Sequence, residues 1–164
     1  MQIILSQLEI DQKITRLAHQ IIENTFENDT LFIGGISGNG IQLAEKIKQI
    51  ISEHSNQTIH VFEMVVDKKE PWAHPIELSI EQTSMKNGYI LLVDDVINSG
   101  KTMQYALVKL LEQATKAIKT VALVDRQHRR YPIKADFVGI SLSTTLKERV
   151  EVTLSAENSH AYLK

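Results

Sequence analysis

The sequence predicts an α/β protein: a central, mostly parallel sheet flanked by helices. Short apolar runs alternate with amphipathic stretches along the chain, the rhythm of strand–helix–strand units. The most apolar run, YILLV (Tyr89 to Val93), is continuous rather than alternating, as in a strand covered on both faces. Turns bearing glycine and aspartate follow the apolar runs, where the loops of a parallel sheet gather.

Each element has its own signal. Leu8, Ile10, Ile14, Leu17, Ala18, Ile21 and Ile22 fall on one face of a helix over residues 8–25. LFIGGI (Leu31 to Ile36) is a short strand that ends at Ser37, Gly38, Asn39 and Gly40. The period then lengthens, and Ile41, Ala44, Ile47, Ile50 and Ile51 mark a second amphipathic helix. TIHVFEMVV (Thr58 to Val66) is strand-like, and a polar stretch with Pro71 and Pro75 fills residues 67–88. That stretch is long for a connection in such a fold and is expected to form a small hood or flap. After YILLV, a helix over residues 101–113 carries Met103, Ala106, Leu107, Leu110 and Leu111 on one side. KTVALVD (Lys119 to Asp125) and DFVGI (Asp136 to Ile140) are further strands, and RVEVTL (Arg149 to Leu154) alternates. No repeat, linker or composition shift divides the chain, so residues 1–164 read as one domain.

Composition narrows the classes. The 164 residues are 43% hydrophobic and 23% charged, ordinary values for a globular domain. The absence of cysteine excludes disulfides and thiolate metal sites. No apolar run reaches bilayer length and no basic leader precedes an apolar stretch, so a cytoplasmic location away from membranes is expected. A net charge of −2 gives no whole-molecule basic footprint, so nucleic-acid binding needs a local patch.

The chemistry concentrates in ILLVDDVINSGKT, Ile90 to Thr102. A buried strand runs into Asp94 and Asp95, two carboxylates that resist burial unless hydroxyls or a divalent cation share their charge. Asn98, Ser99, Gly100, Lys101 and Thr102 then open a helix, where backbone N–H groups, two hydroxyls and the helix dipole suit a phosphate. The ending GKT is not a P-loop, because that motif needs glycine where Asp95 stands. Alone, the acidic pair or the turn reads as an acidic loop with a Ser99 helix cap. Together, in a strand–loop–helix setting, they point to a sugar and its phosphate.

This string resembles the 5-phosphoribosyl 1-pyrophosphate (PRPP) motif of type I phosphoribosyltransferases. The resemblance implies that Asp94 and Asp95 bind the ribose 2- and 3-hydroxyls, and that Val96, Asn98, Ser99, Gly100, Lys101 and Thr102 hold the 5-phosphate. It also implies Mg²⁺ between pyrophosphate and sugar, near Asp94 and Asp95 through ligand or water. VALVDRQHRRYPIKADFVGISLSTTLKERVEV (Val121 to Val152), ITRLAHQIIE (Ile14 to Glu23) and GISGNGIQLAEKI (Gly35 to Ile47) resemble the bifunctional pyrimidine operon regulators with uracil phosphoribosyltransferase activity (PyrR). That subfamily implies Ser37, Gly38, Asn39 and Gly40 as the pyrophosphate loop, uracil as acceptor base, and a homodimer or larger homo-oligomer. Its RNA-contact positions correspond to Thr15, Arg16, His19, His128, Arg129 and Lys134. A solvated basic turn beside Asp125 and Asp136 is the commoner account of the latter three.

Two departures stand out. The Ser37–Gly40 loop has no basic residue, whereas the family places cations between its glycines. The 67–88 segment lacks the family's arginine pattern; Lys68, Lys69 and His74 are its substitutes for charge, and Trp72 either stacks on a base or packs. At Asn98, an amide cannot act as a general acid or base, which favours a pyrimidine over a purine. Two functions therefore remain open: PRPP-dependent transfer to a nucleobase, forming a nucleoside monophosphate, and an RNA-binding nucleotide sensor with weak or no transfer.

Overall fold

The computed structural model describes residues 2–164. Strand β1 (Gln2–Leu5) leads into α1 (Gln7–Thr25), β2 (Thr30–Ile36), α2 (Asn39–His54) and β3 (Thr58–Val65). A two-residue strand β4 (Glu77–Leu78) and a 3-10 turn (Gln82–Met85) precede β5 (Gly88–Ile97), α3 (Lys101–Leu110) and β6 (Thr115–Asp125). The chain closes with β7 (Phe137–Ser141), β8 (Val150–Thr153) and β9 (His160–Leu163).

The main sheet has the order β4-β3-β2-β5-β6-β7, parallel throughout except for the antiparallel edge strand β4. Successive residues of β5 enter different cores. Leu91 and Val93 pack with α1 and α2, while Ile90 and Leu92 pack with α3 and the 82–85 turn. That is why YILLV is apolar at every position.

Local chemistry starts the first helix. Ser6 accepts from Glu9 N at 3.3 Å and its own N–H donates to Glu9 Oε2 at 2.8 Å, a capping box. The buried face of α1 includes Ile10, Ile14, Leu17, Ala18 and Ile21 of the expected stripe, whereas Leu8, in the first turn, is exposed and Ile22 half-buried.

The helix expected over 101–113 ends at Leu110, leaving Leu111 exposed, and β6 begins at Thr115 rather than Lys119; two larger departures concern the sheets. Strand β5 does not stop at Val93: β2 pairs with it up to Val93, but β6 follows it to Ile97, opposite Asp125. The carboxylates of Asp94 and Asp95 thus sit in regular strand, beyond the end of a neighbouring strand. Second, β1, β9 and β8 form a separate antiparallel sheet, in which Gln2 pairs with Leu163. Pairing partners at opposite ends of a sequence leave no local signal.

Candidate functional site

One cavity of about 530 Å³ opens at the carboxyl end of the main sheet. Its lining runs from Asp94 through Met103, with Asn39 and Lys68 at one side and Val150, Glu151 and Val152 at the other. The end of β2 therefore leaves a gap, β5 crosses it, and β8 walls it.

The acidic pair is nearly inaccessible: Asp94 is 4% exposed and Asp95 9%. Asp94 Oδ1 accepts from Asp95 N at 2.9 Å, and Lys68 Nζ lies 3.4 Å from the same oxygen. Asp95 Oδ1 accepts from Val96 N at 2.8 Å and Oδ2 from Asn39 Nδ2 at 3.1 Å. Burial pushes the Asp94 carboxyl well above the usual range, the adjacent Asp95 charge pushes it further, and Lys68 offsets only part. Asp94 thus keeps its proton to higher pH than a free carboxylic acid.

The turn behind the pair is built for close approach. Gly100 has φ +85° and caps α3 at its N-terminus without a side-chain cap. A Cβ there would lie 2.2 Å from Ile133 Cγ2, so only glycine fits both the dihedral and the space. Ser99 Oγ accepts from Lys101 N at 3.3 Å. The 126–133 segment splints the turn from outside the cavity. Arg130 N and Tyr131 N donate to Ser99 O at 2.9 and 3.1 Å, and Arg129 donates to Asn98 O at 3.0 Å.

Arg126 is the residue that sequence reasoning overlooked. It is 8% exposed and, among the described residues, forms no ion pair with a carboxylate. Its guanidinium donates to Asn98 Oδ1 at 2.9 Å, Thr144 Oγ1 at 3.0 Å, Thr145 O at 3.1 Å and Glu148 O at 2.6 Å. A buried charge met by four neutral acceptors locks the turn to the loop leading into β8. Nothing in VDRQH separates Arg126 from its neighbours, because its partners are two side-chain oxygens and two backbone carbonyls remote in sequence. Val150 to Val152 were legible as a strand, but not as a cavity wall.

The first loop is brought to the cavity through Asn39. Its Nδ2 bridges Asp95 and Val152 O, the latter at 2.7 Å. Ser37 instead ties β3: its N donates to Met64 O at 2.9 Å and its Oγ accepts from Val66 N at 3.3 Å. Gly38, at φ +93°, has open space where a Cβ would be. Gly40 lets α2 approach the end of β5, since a Cβ there would lie 2.9 Å from Val93 O.

The 67–76 loop sends Lys68 to Asp94, and Lys101 Nζ donates back to Lys69 O at 2.9 Å. Trp72 is 59% exposed, with its ring 5.9 Å from Tyr105 and 5.6 Å from Lys101 Nζ, outside the cavity lining.

The positions expected to contact RNA are mostly engaged within the chain. Arg16 donates to Val138 O and Gly139 O at 2.9 and 2.6 Å, and Arg129 forms an ion pair with Asp125 at 3.0 Å. His128 Nε2 lies 2.7 Å from Thr144 O, and Thr15 Oγ1 donates to Asp11 O at 2.9 Å. His19 packs edge-on against His54, and Lys134 Nζ reaches Asp136 only at 3.9 Å.

With this geometry in view, comparisons with known proteins agree. A model of the phosphoribosyl transferase domain matches residues 2–156. The Bifunctional protein PyrR of Macrococcus caseolyticus is 32% identical over 171 residues, spanning 99% of this chain and 98% of the relative. That of Fusobacterium nucleatum is 34% identical over 166 residues, spanning 94% and 91%. Among solved structures, the hypoxanthine phosphoribosyltransferase of Trypanosoma cruzi superposes with a TM-score of 0.72 at 18% identity, over 87% of this chain and 82% of that one. A hypoxanthine-guanine phosphoribosyltransferase from Bacillus anthracis gives the same values, which speak to the fold.

Proposed function

The chain belongs to the phosphoribosyl transferase family and to its PyrR group, and from that premise we propose that it moves ribose 5-phosphate from PRPP to uracil. The observation that carries this is one cavity holding a buried carboxylate pair and, a few residues on, a glycine turn at a helix N-terminus. A ribose with free hydroxyls and a 5-phosphate satisfies both ends at once.

The roles follow from position. Asp94 and Asp95 accept from the ribose 2- and 3-hydroxyls and steady the positive charge that develops at the anomeric carbon. The N–H groups of residues 99–102 and the hydroxyls of Ser99 and Thr102 anchor the phosphate. Nitrogen N1 of the base, having lost its proton, forms the new bond as the bond from the anomeric carbon to pyrophosphate breaks. Positioning and a water-poor crevice do most of the work, with no covalent nucleophile. Ser37, Gly38, Asn39 and Gly40 border the departing pyrophosphate, with Lys68 as the nearby cation. Residues 67–88 serve as a flap over it.

Two adjacent carboxylates are hard oxygen donors of the kind that hold Mg²⁺ alongside substrate phosphates. No cluster of three or more His, Cys, Asp or Glu suited to a metal occurs among the described residues, so pyrophosphate and water would complete its shell. When bound, Mg²⁺ supplies neutralising charge to the pyrophosphate. We place the reaction in the cytoplasm, in a homo-oligomer; among the described residues no helix is long and apolar enough to cross a membrane.

A steady-state assay with PRPP, Mg²⁺ and uracil, hypoxanthine, guanine, adenine or orotate tests the proposal by pyrophosphate release. Turnover with uracil, lost on Asp94→Asn with Asp95→Asn, is the expected result; turnover with a purine alone overturns the base assignment. A second reading, an RNA-binding nucleotide sensor with little transfer, is favoured by the cation-free Ser37–Gly40 loop. It calls for UMP binding without turnover, and for RNA binding that falls steeply with salt and is lost on changing Arg16 and Lys134.

A further inference from the structure

We propose that Trp72 is a positioning residue: it clasps the 67–76 loop to the outer face of α3 and so sets Lys68 over the acidic pair. The inference rests on the phosphoribosyl-transfer reading and deepens it at the pyrophosphate end of the cavity. Its starting point is a side chain that neither the core nor the cavity uses. Trp72, the one tryptophan of the chain, belongs to neither apolar core and lies outside the cavity lining, so it is not placed to stack on a base bound there.

The neighbours of Trp72 are specific. Lys101 and Tyr105 stand one turn apart on α3, and the indole lies against both, 5.6 Å from the Lys101 ammonium and 5.9 Å from the Tyr105 ring. Tyr105 in turn meets the Tyr131 ring at 6.3 Å, and Tyr131 N donates to Ser99 O. An aromatic row thus runs from the loop, across α3, to the segment that braces the glycine turn. Lys101 adds a second fastening, since the ammonium that faces the indole also donates to Lys69 O at 2.9 Å. Within the loop, Asp67 Oδ1 accepts from Lys69 N and Glu70 N, both at 3.0 Å, and Ala73 N donates to Glu70 O at 2.9 Å. Those bonds make residues 67–73 a stiff unit, so a hold on Trp72 is felt at Lys68.

Lys68 needs such a hold. Its ammonium ends a flexible four-carbon stem, and 3.4 Å to Asp94 is long for a charge-assisted bond. A half-exposed contact of that length is too weak to keep the loop in place by itself. An exposed aromatic pair and an exposed cation–π contact each shift a two-state loop severalfold, and together they keep it docked. Docked, Lys68 stands ready at the cavity; undocked, its charge is spread through solvent and an incoming pyrophosphate has to gather it.

Because Trp72 is the sole tryptophan, its fluorescence anisotropy decay reads the clasp directly, without ligand or turnover. The wild-type decay should follow whole-molecule tumbling, and Tyr105→Leu should add a fast component from a freed loop. Calorimetry with Mg²⁺ and PRPP reads the consequence. Trp72→Ala should weaken PRPP about fivefold, and Trp72→Phe should restore it to within about twofold of wild type. In a Lys68→Met background Trp72→Ala should cost nothing further, because the loop then has no charge to place. Ribose 5-phosphate, which lacks the pyrophosphate, should bind equally to all of these variants. Additive losses in the double variant overturn the inference, as does an equal loss of ribose 5-phosphate, which would make Trp72 a prop of the whole site. A fast decay in the wild-type protein overturns it too. PRPP binding indifferent to both Lys68 and Trp72 sinks the clasp and leaves the transfer reading standing. A wild-type protein that binds ribose 5-phosphate but not PRPP overturns that reading and this inference together.

Discussion

The ammonium of Lys68 lies 3.4 Å from Oδ1 of Asp94, a half-exposed cation set over a buried acid. Of the two lysines that line the cavity, Lys101 is turned towards Lys69 O and Trp72. Among the described residues Lys68 is therefore the lysine that faces the acidic pair, and we assign it a contact to the pyrophosphate. Replacing it with Met should raise KM for PRPP by about tenfold, a loss in line with one charge-assisted contact at a partly exposed site. Lys68→Arg should restore most of it. Initial rates at varied PRPP check this, and an unchanged KM in Lys68→Met would assign the pyrophosphate to backbone donors alone.

The raised Asp94 carboxyl makes stability pH-dependent with a defined sign. Its ordinary value is 3.8 and folding raises it, so below that value the native state carries no penalty for Asp94. As pH climbs from there through the raised native value, the unfolded chain sheds the proton first and native stability falls. Asp94→Asn removes the cost, so in the ligand-free protein it should raise the midpoint by roughly 3–6 °C at pH 8. The two proteins should converge towards pH 4. Thermal melts across that range decide it.

Gly100→Ala should destabilise the fold by about 2–4 kcal/mol, from the positive φ and the collision with Ile133. Adding Ile133→Ala makes room for the methyl group but leaves the dihedral strained. Phosphate-dependent binding should therefore recover only in part. Denaturant melts of the single and double variants measure both contributions, and additive losses would show that the collision never mattered.

Asn39→Ala removes the link from Asp95 to Val152 and strands two acceptors. A loss of about 1–2 kcal/mol is expected. Amide exchange should quicken across Val150 to Thr153 while β5 stays protected. Equal acceleration in both strands would mean that Asn39 supports the fold at large rather than the cavity wall.

How much of this could be read beforehand depends on the range of the interactions. The main sheet was legible because its cues are local: the stripe on α1, the continuous run at Ile90 to Val93, the punctuation at Ser37 to Gly40. The acidic pair and the glycine turn that follows it were legible because they are contiguous. The extension of β5 to Ile97 was not, since Val96 and Ile97 look like loop residues until β6 pairs with them. Nor was Arg126, whose four acceptors lie in two remote segments and are chosen by packing. The partnership of β1 with β9 spans the chain and has no periodicity to betray it.

That last pairing bears on the order of folding. Closing the loop between Gln2 and Leu163 is the costliest contact the polymer makes in entropy, and β8 reaches its place through β9. The parallel sheet, built from nearer neighbours, has reason to assemble first, with the β8 wall fastened last. Refolding followed by two signals would then split in time, backbone ellipticity returning ahead of the capacity to retain a nucleotide. In that interval the protein is a nearly finished scaffold with an open side, and a trapped ligand would speed the final closure only if it touched β8.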